Sequence, residues 1–126
     1  MSRRTGLAVA WSALILAACS IPGDAFGEYE SILFSFDKLG HLVLFLVFAV
    51  LWARAVPGRL GAIALGGVAF AFGSEAWQTL LPFDRAGDLL DVLADVVGLG
   101  IGLVWAYAVE RRSASEASNV RTGGVS

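Results

Sequence analysis

The sequence is poor in cysteine and histidine, with one residue of each type among 126 residues. A lone cysteine cannot form a disulfide within the chain, and no Cys/His spacing resembles a zinc site. The arginines are scattered and the formal net charge is −2, so the chain has no basic surface for nucleic acid. Neither redox chemistry nor nucleic-acid binding is expected.

The chain is rich instead in long apolar stretches. Hydrophobic residues make up 57% of the sequence, and the mean hydropathy is +0.73. Most stretches approach the roughly 20 residues that a helix needs to cross about 30 Å of hydrocarbon, and lipid cannot hydrogen-bond exposed backbone amides. We therefore predict an all-α integral membrane protein, a bundle of four transmembrane helices at about residues 6–21, 39–56, 60–81 and 89–109.

Charges in the connecting segments predict the orientation of this bundle, because Lys and Arg near helix ends favour the cytoplasm. Arginines precede the first helix and follow the second and fourth, whereas the other two connections are rich in acids. Both termini are therefore predicted to be cytoplasmic, with residues 1–112 as the membrane domain. Residues 21–37 are expected to form a loop or a short surface helix, and residues 113–126 a disordered cytoplasmic tail.

The first helix has a second interpretation. The segment from Leu16 to Cys19 resembles the signal-peptide ending at which bacterial lipoproteins are cleaved and acylated, with the preceding arginines as its basic region. We favour an uncleaved helix, because Leu-Ala-Ala-Cys arises easily by chance in an alanine-rich apolar helix. Cleavage would leave three helices but would not move any later segment to the other side of the membrane.

Polar side chains gather at the predicted outer ends of three helices. They form the candidate ligand-binding set: Asp37, Lys38, His41, Glu75, Gln78, Arg85, Asp88, Asp91 and Asp95. On the fourth helix, the helical period places Asp91 and Asp95 on one face with Gly98 and Gly102. Glycine stripes let membrane helices approach closely, so we expect this face to point into the bundle. On the third helix, Gly67, Ala71, Ser74 and Gln78 line up in the same way.

Two of these acids lie deep. Glu75 and Asp95 are each about two helical turns, near 10 Å, below the predicted helix ends. An ionised carboxylate at that depth costs roughly 2.5 to 3.5 kcal/mol unless it is paired or hydrated. Intramembrane ionisable residues therefore favour a functional site. The alternative is that the nearby cationic and polar side chains neutralise the acids as contacts between helices.

These residues resemble the VanZ-like family, small bacterial membrane proteins named for a member associated with teicoplanin resistance. Two motifs carry the resemblance: Asp37-Lys38-x-x-His41, and Glu75-x-x-Gln78 followed by Pro82, Arg85, Asp91, Asp95, Gly98 and Gly102. It covers roughly residues 11–102 and implies a multi-pass protein of the bacterial cytoplasmic (inner) membrane, with a cell-envelope role at the outer leaflet. The family often has Asn in place of Asp95 and Pro-Gly-Arg in place of Pro82-Phe83-Asp84-Arg85, departures that add acid to the site.

The acidic surplus of this set would repel a bare phosphate. Three remedies are open: raised pKa values that leave some acids protonated, a bound divalent cation with oxygen ligands, or a cationic group on the ligand. We favour a non-enzymatic envelope protein that binds a cell-wall precursor, a membrane lipid component or an amphiphilic antibiotic. Lys38 and Arg85 would then hold an anionic group, and the acids a cationic one.

Two alternatives stay open. One is a metal-assisted enzyme acting on a lipid-linked substrate, with Glu75, Asp91 and Asp95 as cation ligands and His41, oriented by Asp37, as general acid or base. The candidate catalytic residues are then His41, Glu75 and Asp91. The other is a small transporter with Glu75 and Asp95 as a proton relay, which four short helices would manage only as a homo-oligomer.

Overall fold

The computed structural model of the protein describes residues 2–19, 30–80 and 89–123. Within those residues the regular structure is α-helical, in four elements: α1 (Arg3–Cys19), α2 (Glu30–Ala55), α3 (Leu60–Leu80) and α4 (Leu89–Gly123). The prediction of an all-α protein is confirmed for this part of the chain.

Three of these helices are long and apolar enough to cross a membrane. The candidate spans are Lys38–Ala55, Leu60–Leu80 and Leu89–Arg121. α1 has 17 residues, which is about 26 Å of helix at 1.5 Å per residue and lies at the lower limit for a span. Large apolar side chains such as Leu65, Leu80 and Val104 are exposed on the bundle, as expected for a surface that contacts lipid. The fourth span stays a prediction.

α2 and α4 run parallel and form the most extensive contact between helices. A Cβ atom added at Gly98 would lie 2.0 Å from the carbonyl oxygen of Leu42, and one added at Gly102 would lie 2.6 Å from that of Leu46. No methyl group fits at either position. The prediction that these glycines face the bundle is confirmed, and their close approach brings the acids that precede them on α4 next to α2.

α3 runs antiparallel to α4. Gly67 of α3 meets the side chain of Leu99, whereas Ile63, one turn earlier, packs with Ala106. The buried residues of α3 are the predicted stripe with Ile63 added at its start: Ile63, Gly67, Ala71, Ser74 and Gln78. The last turns of α3 therefore lie at the end of the bundle where α2 and α4 begin, which we call the polar end.

α1 packs as part of the bundle. The Trp11 indole N–H donates to the carbonyl oxygen of Leu44 at 2.9 Å, and the Trp52 indole N–H donates to Ser12 Oγ at 3.1 Å. Ile15 is fully buried in the core formed with α2, α3 and α4. Removing α1 would expose that core and would eliminate both tryptophan hydrogen bonds.

Two helix boundaries differ from the sequence prediction. α2 begins at Glu30, where a loop or surface helix was expected up to residue 37, and residues 30–38 contain neither Gly nor Pro to stop a helix. α4 continues through residues 113–123, which were expected to be disordered. Every residue from Arg111 to Arg121 is exposed, so packing does not hold this extension. Adding residues to the end of an existing helix avoids the unfavourable nucleation step of helix formation, and a low apolar content does not prevent this extension.

Candidate functional site

The predicted site residues that the structure describes lie at the polar end of three helices. Lys38 and His41 stand on α2, Glu75 and Gln78 on α3, and Asp91 and Asp95 on α4. Arg85 and Asp88 lie outside the described residues, and so does the side chain of Asp37. The parallel course of α2 and α4 places residues 38–41 of α2 beside the first two turns of α4.

Ion pairs and hydrogen bonds join α2 to α4 at this end. Lys38 Nζ pairs with Asp91 Oδ1, and His41 Nδ1 lies 2.7 Å from Asp95 Oδ1. The other ring nitrogen, His41 Nε2, lies 3.8 Å from Asp91 Oδ2. His41 therefore stands between two carboxylates, and Asp91 stands between His41 and Lys38. We call these four residues the polar network.

The hydrogen bond to Asp95 fixes the arrangement of the imidazole. With Asp95 ionised, its carboxylate only accepts hydrogen bonds, and Nδ1 then carries the proton and donates it to Asp95. This leaves Nε2 directed toward Asp91. A carboxylate that orients a histidine through one ring nitrogen is also the arrangement that supports acid–base chemistry at the other.

Burial of the polar network increases from Lys38 toward Asp95. The Lys38 side chain is 20% exposed, His41 and Asp91 are each 5% exposed, and Asp95 is 0% exposed. Lys38, which is paired with Asp91, thus forms the accessible edge, and the contact between His41 and Asp95 ends at the fully buried Asp95. Burying charged groups of this kind is costly unless they are paired, and these pairs reduce that cost.

α3 contributes further polar side chains at the same end. Ser74 and Gln78 are buried, and the Ser74 hydroxyl donates to the carbonyl oxygen of Ala71 on its own helix at 2.9 Å. Glu75 is partly buried, with both carboxylate oxygens enclosed. Among the described residues of the site, one lysine thus stands with three carboxylates, so the acidic surplus expected from the sequence holds for this part of the chain.

In the enzyme alternative, Glu75, Asp91 and Asp95 are the candidate ligands of a divalent cation. In the described ranges, no three or more His, Cys, Asp or Glu residues are grouped so that they could hold a metal ion. The Asp91 carboxylate faces Lys38 and His41 instead, and Asp95 faces His41. A divalent cation at these residues stays an alternative that this geometry does not support.

The partner of His41 is the main feature that the sequence did not reveal. Helical spacing paired His41 with Asp37 on the same helix, a contact that lies outside the described side chains. The structure shows Asp95 of α4 at its Nδ1. Both residues were in the candidate set, but a contact between helices leaves no spacing signal. Ser74 lies on the stripe of α3 that the sequence predicts to face inward, but the candidate set does not include it.

Comparison with known proteins supports the resemblance seen in the two motifs. The VanZ/LLP1 family model matches residues 5–110. An uncharacterized membrane protein of Bacillus subtilis (strain 168), YwnJ, is 41% identical over 66 residues, which are 52% of this chain and 44% of that protein. The match thus covers less than half of the relative. No solved structure matches this chain.

Proposed function

The chain belongs to the VanZ/LLP1 family, and we propose that it is a cell-envelope membrane protein that binds a surface-exposed or lipid-linked ligand at the polar network. The observation that carries this proposal is the pair of buried carboxylates on α4, Asp91 and Asp95, which α2 meets with a lysine and a histidine. Apolar side chains would join two membrane helices at lower cost. Ionisable residues inside a membrane bundle therefore favour a functional role.

The ligand group best suited to this site is cationic. The described acids outnumber the one lysine, and Asp91 is the carboxylate nearest the accessible edge. A ligand ammonium group takes the place of Lys38 on Asp91, and the displaced Lys38 becomes available to an anionic group of the same ligand. An amphiphilic antibiotic of the glycopeptide class, or a cell-wall precursor that carries both charges, has this chemistry.

We further propose that all four helices span the membrane, with both termini in the cytoplasm and the polar end at the outer leaflet. The parallel course of α2 and α4 supports this topology, because both helices then begin outside. The arginines at the opposite end of the bundle, Arg54, Arg59, Arg111 and Arg112, support the cytoplasmic side for that end. The packing of α1 into the core supports its retention as a fourth helix.

The binding proposal is tested with purified protein in lipid nanodiscs and with teicoplanin and a lipid-linked cell-wall precursor as probes. Asp91→Asn is expected to weaken binding of the recognised probe by about ten- to a hundredfold, because a hydrogen bond to a charged group contributes roughly 1.5 to 3 kcal/mol. Glu110→Gln is the matched control, because it neutralises an acid in the half of α4 that lies away from the polar end. This variant should bind like the wild type. Thermal unfolding in detergent checks that both variants fold.

Two results would contradict the binding proposal. The first is that the wild type binds neither probe, and the second is that Asp91→Asn binds as well as Glu110→Gln. In cells, the protein is expected to change susceptibility to teicoplanin, and Asp91→Asn should abolish that change whereas Glu110→Gln should not.

One observation favours the enzyme alternative. The hydrogen bond between Asp95 and His41 Nδ1 orients the imidazole as in an acid–base catalyst. An enzyme would lose turnover in His41→Gln while keeping most of its ligand affinity, whereas a binding protein would lose affinity and cellular effect together. Assaying conversion of the lipid-linked precursor alongside its binding separates the two functions.

A further inference from the structure

A groove lies between α1, α2 and α3 in the half of the bundle away from the polar end. Its volume is about 460 Å³. Phe48, Trp52 and Val56 of α2 line one side, and Ile63 and Phe70 of α3 line the other. The walls are thus mainly aromatic and aliphatic, which suits an apolar occupant.

The polar side-chain groups that line the groove belong to Ser12, Trp52 and Arg59. Ser12 is committed inside the protein, since its hydroxyl donates to the carbonyl oxygen of Ala8 at 2.9 Å and accepts from the Trp52 indole at 3.1 Å. Arg59, just before α3, is exposed at one end of the groove. The occupant should therefore be apolar along the groove and anionic at the Arg59 end.

The dimensions of the groove fit one lipid chain. Residues 59 and 70 mark its extent along α3, which corresponds to about 16 Å at 1.5 Å per residue. One leaflet contributes about 15 Å, half of the roughly 30 Å hydrocarbon core. The length of the groove therefore matches an acyl chain that extends through one leaflet.

We propose that this groove binds an acyl chain of an anionic phospholipid, whose phosphate pairs with Arg59. The guanidinium group suits phosphate because it offers several parallel N–H donors. Arg111 adds positive charge to this end of the bundle, where the Gly58 N–H in the turn before α3 donates to Glu110 Oε1 of α4 at 3.5 Å. The lipid site depends on α2 and α3 lying in the membrane and is independent of the polar network.

The headgroup contact is tested by native mass spectrometry of the purified full-length protein with phosphatidylglycerol or phosphatidylcholine of identical acyl chains. The wild type is expected to bind phosphatidylglycerol roughly fivefold more tightly, as one arginine at a membrane surface provides. Arg59→Gln should abolish this preference. Arg54→Gln is the matched control, because Arg54 is an exposed arginine of the same end that lies outside the groove lining, and it should keep the preference.

The acyl-chain contact is tested by filling the groove. A Cβ atom added at Gly66 or at Gly73 meets nothing within 4 Å, and both glycines are exposed on α3. Only Gly66 is among the residues that line the groove. Gly66→Leu should weaken binding of both lipids about tenfold, whereas Gly73→Leu should behave as the wild type in binding and in thermal unfolding.

Three results would overturn the lipid site. The wild type could bind both lipids equally, Arg59→Gln could keep the preference for phosphatidylglycerol, or Gly66→Leu could bind lipid as well as Gly73→Leu does. If Gly66→Leu instead converts a dimer into a monomer and lipid binding is unchanged, the occupant of the groove is a second copy of this chain, and the lipid proposal is wrong.

Discussion

The bond between His41 and Asp95 is the most deeply buried contact of the polar network. Asp95→Ala removes the acceptor of the His41 Nδ1–H inside the bundle, and losing a buried hydrogen-bond partner costs about 1 to 3 kcal/mol. Asp95→Asn keeps a carbonyl acceptor at nearly the same place and should recover most of that loss. The free energy of unfolding in mixed detergent micelles measures both variants, and equal losses would contradict this account of the hydrogen bond.

Single residues also show how far the sequence reaches. The helical period was sufficient to predict that Asp91 and Asp95 face into the bundle, because they share a face with glycines and such a face packs against another helix. The period could not identify the partner of His41. That contact joins residues 54 positions apart, and it depends on the register between α2 and α4, which packing of the whole bundle determines.

At the scale of helices, the approach of α4 to α2 gives the sharpest prediction. Gly98→Ala places a methyl group 2.0 Å from the Leu42 carbonyl oxygen, and backbone cannot shift without separating the two helices. Gly100→Ala, on the same helix, meets nothing within 4 Å. We expect Gly98→Ala to lower the melting temperature strongly and Gly100→Ala to leave it unchanged or raise it slightly, since Ala favours helix over Gly by about 1 kcal/mol.

Gly67→Ala should lie between those two variants. Its added Cβ meets the Leu99 side chain at 2.6 Å, and a side chain can move where a backbone carbonyl cannot. Thermal unfolding of the three variants under one set of conditions tests this order. A Gly98→Ala variant as stable as Gly100→Ala would show that α2 and α4 do not approach as closely as described.

The extension of α4 should be dispensable for the bundle. Residues 113–121 are helical but exposed, so ending the chain after Arg112 removes no buried contact that the structure describes. Changes away from packed features usually alter stability by no more than about 0.5 kcal/mol. The shortened protein should lose helical circular dichroism while its unfolding midpoint stays the same, and a large drop in the midpoint would show that this segment packs against the bundle.

For the whole molecule, composition was sufficient to predict an apolar helical bundle, whereas the number of spans was harder to predict. Apolar length identified α2, α3 and α4, each of which is confirmed as a candidate span. α1 is near the minimum length, and its last residues read equally as a helix end or as a cleavage site. Only packing distinguishes those readings, and packing is not visible in one stretch of sequence.

The packing of α1 leads to a prediction about the mature protein. Ile15 is fully buried in the core, where α1 packs against α2 and α3, and Trp11 bonds to the backbone of α2, so cleavage at Cys19 would remove part of the core. We expect the membrane-extracted protein to keep the mass of the uncleaved chain, and Cys19→Ser to leave that mass unchanged apart from the substitution. A lipid-modified chain beginning at Cys19 would contradict this expectation.

A reporter joined after Arg112 tests the topology independently of cleavage. Retained or not, α1 does not alter the side on which the later helices end, so the arginines after α4 predict a cytoplasmic reporter in either case. Green fluorescent protein at this position should fluoresce, and alkaline phosphatase, which needs the oxidising side of the membrane for its disulfides, should be inactive. Active phosphatase would show that the bundle has the opposite orientation. The polar network would then lie at the cytoplasmic leaflet, where a surface-exposed envelope ligand could not reach it.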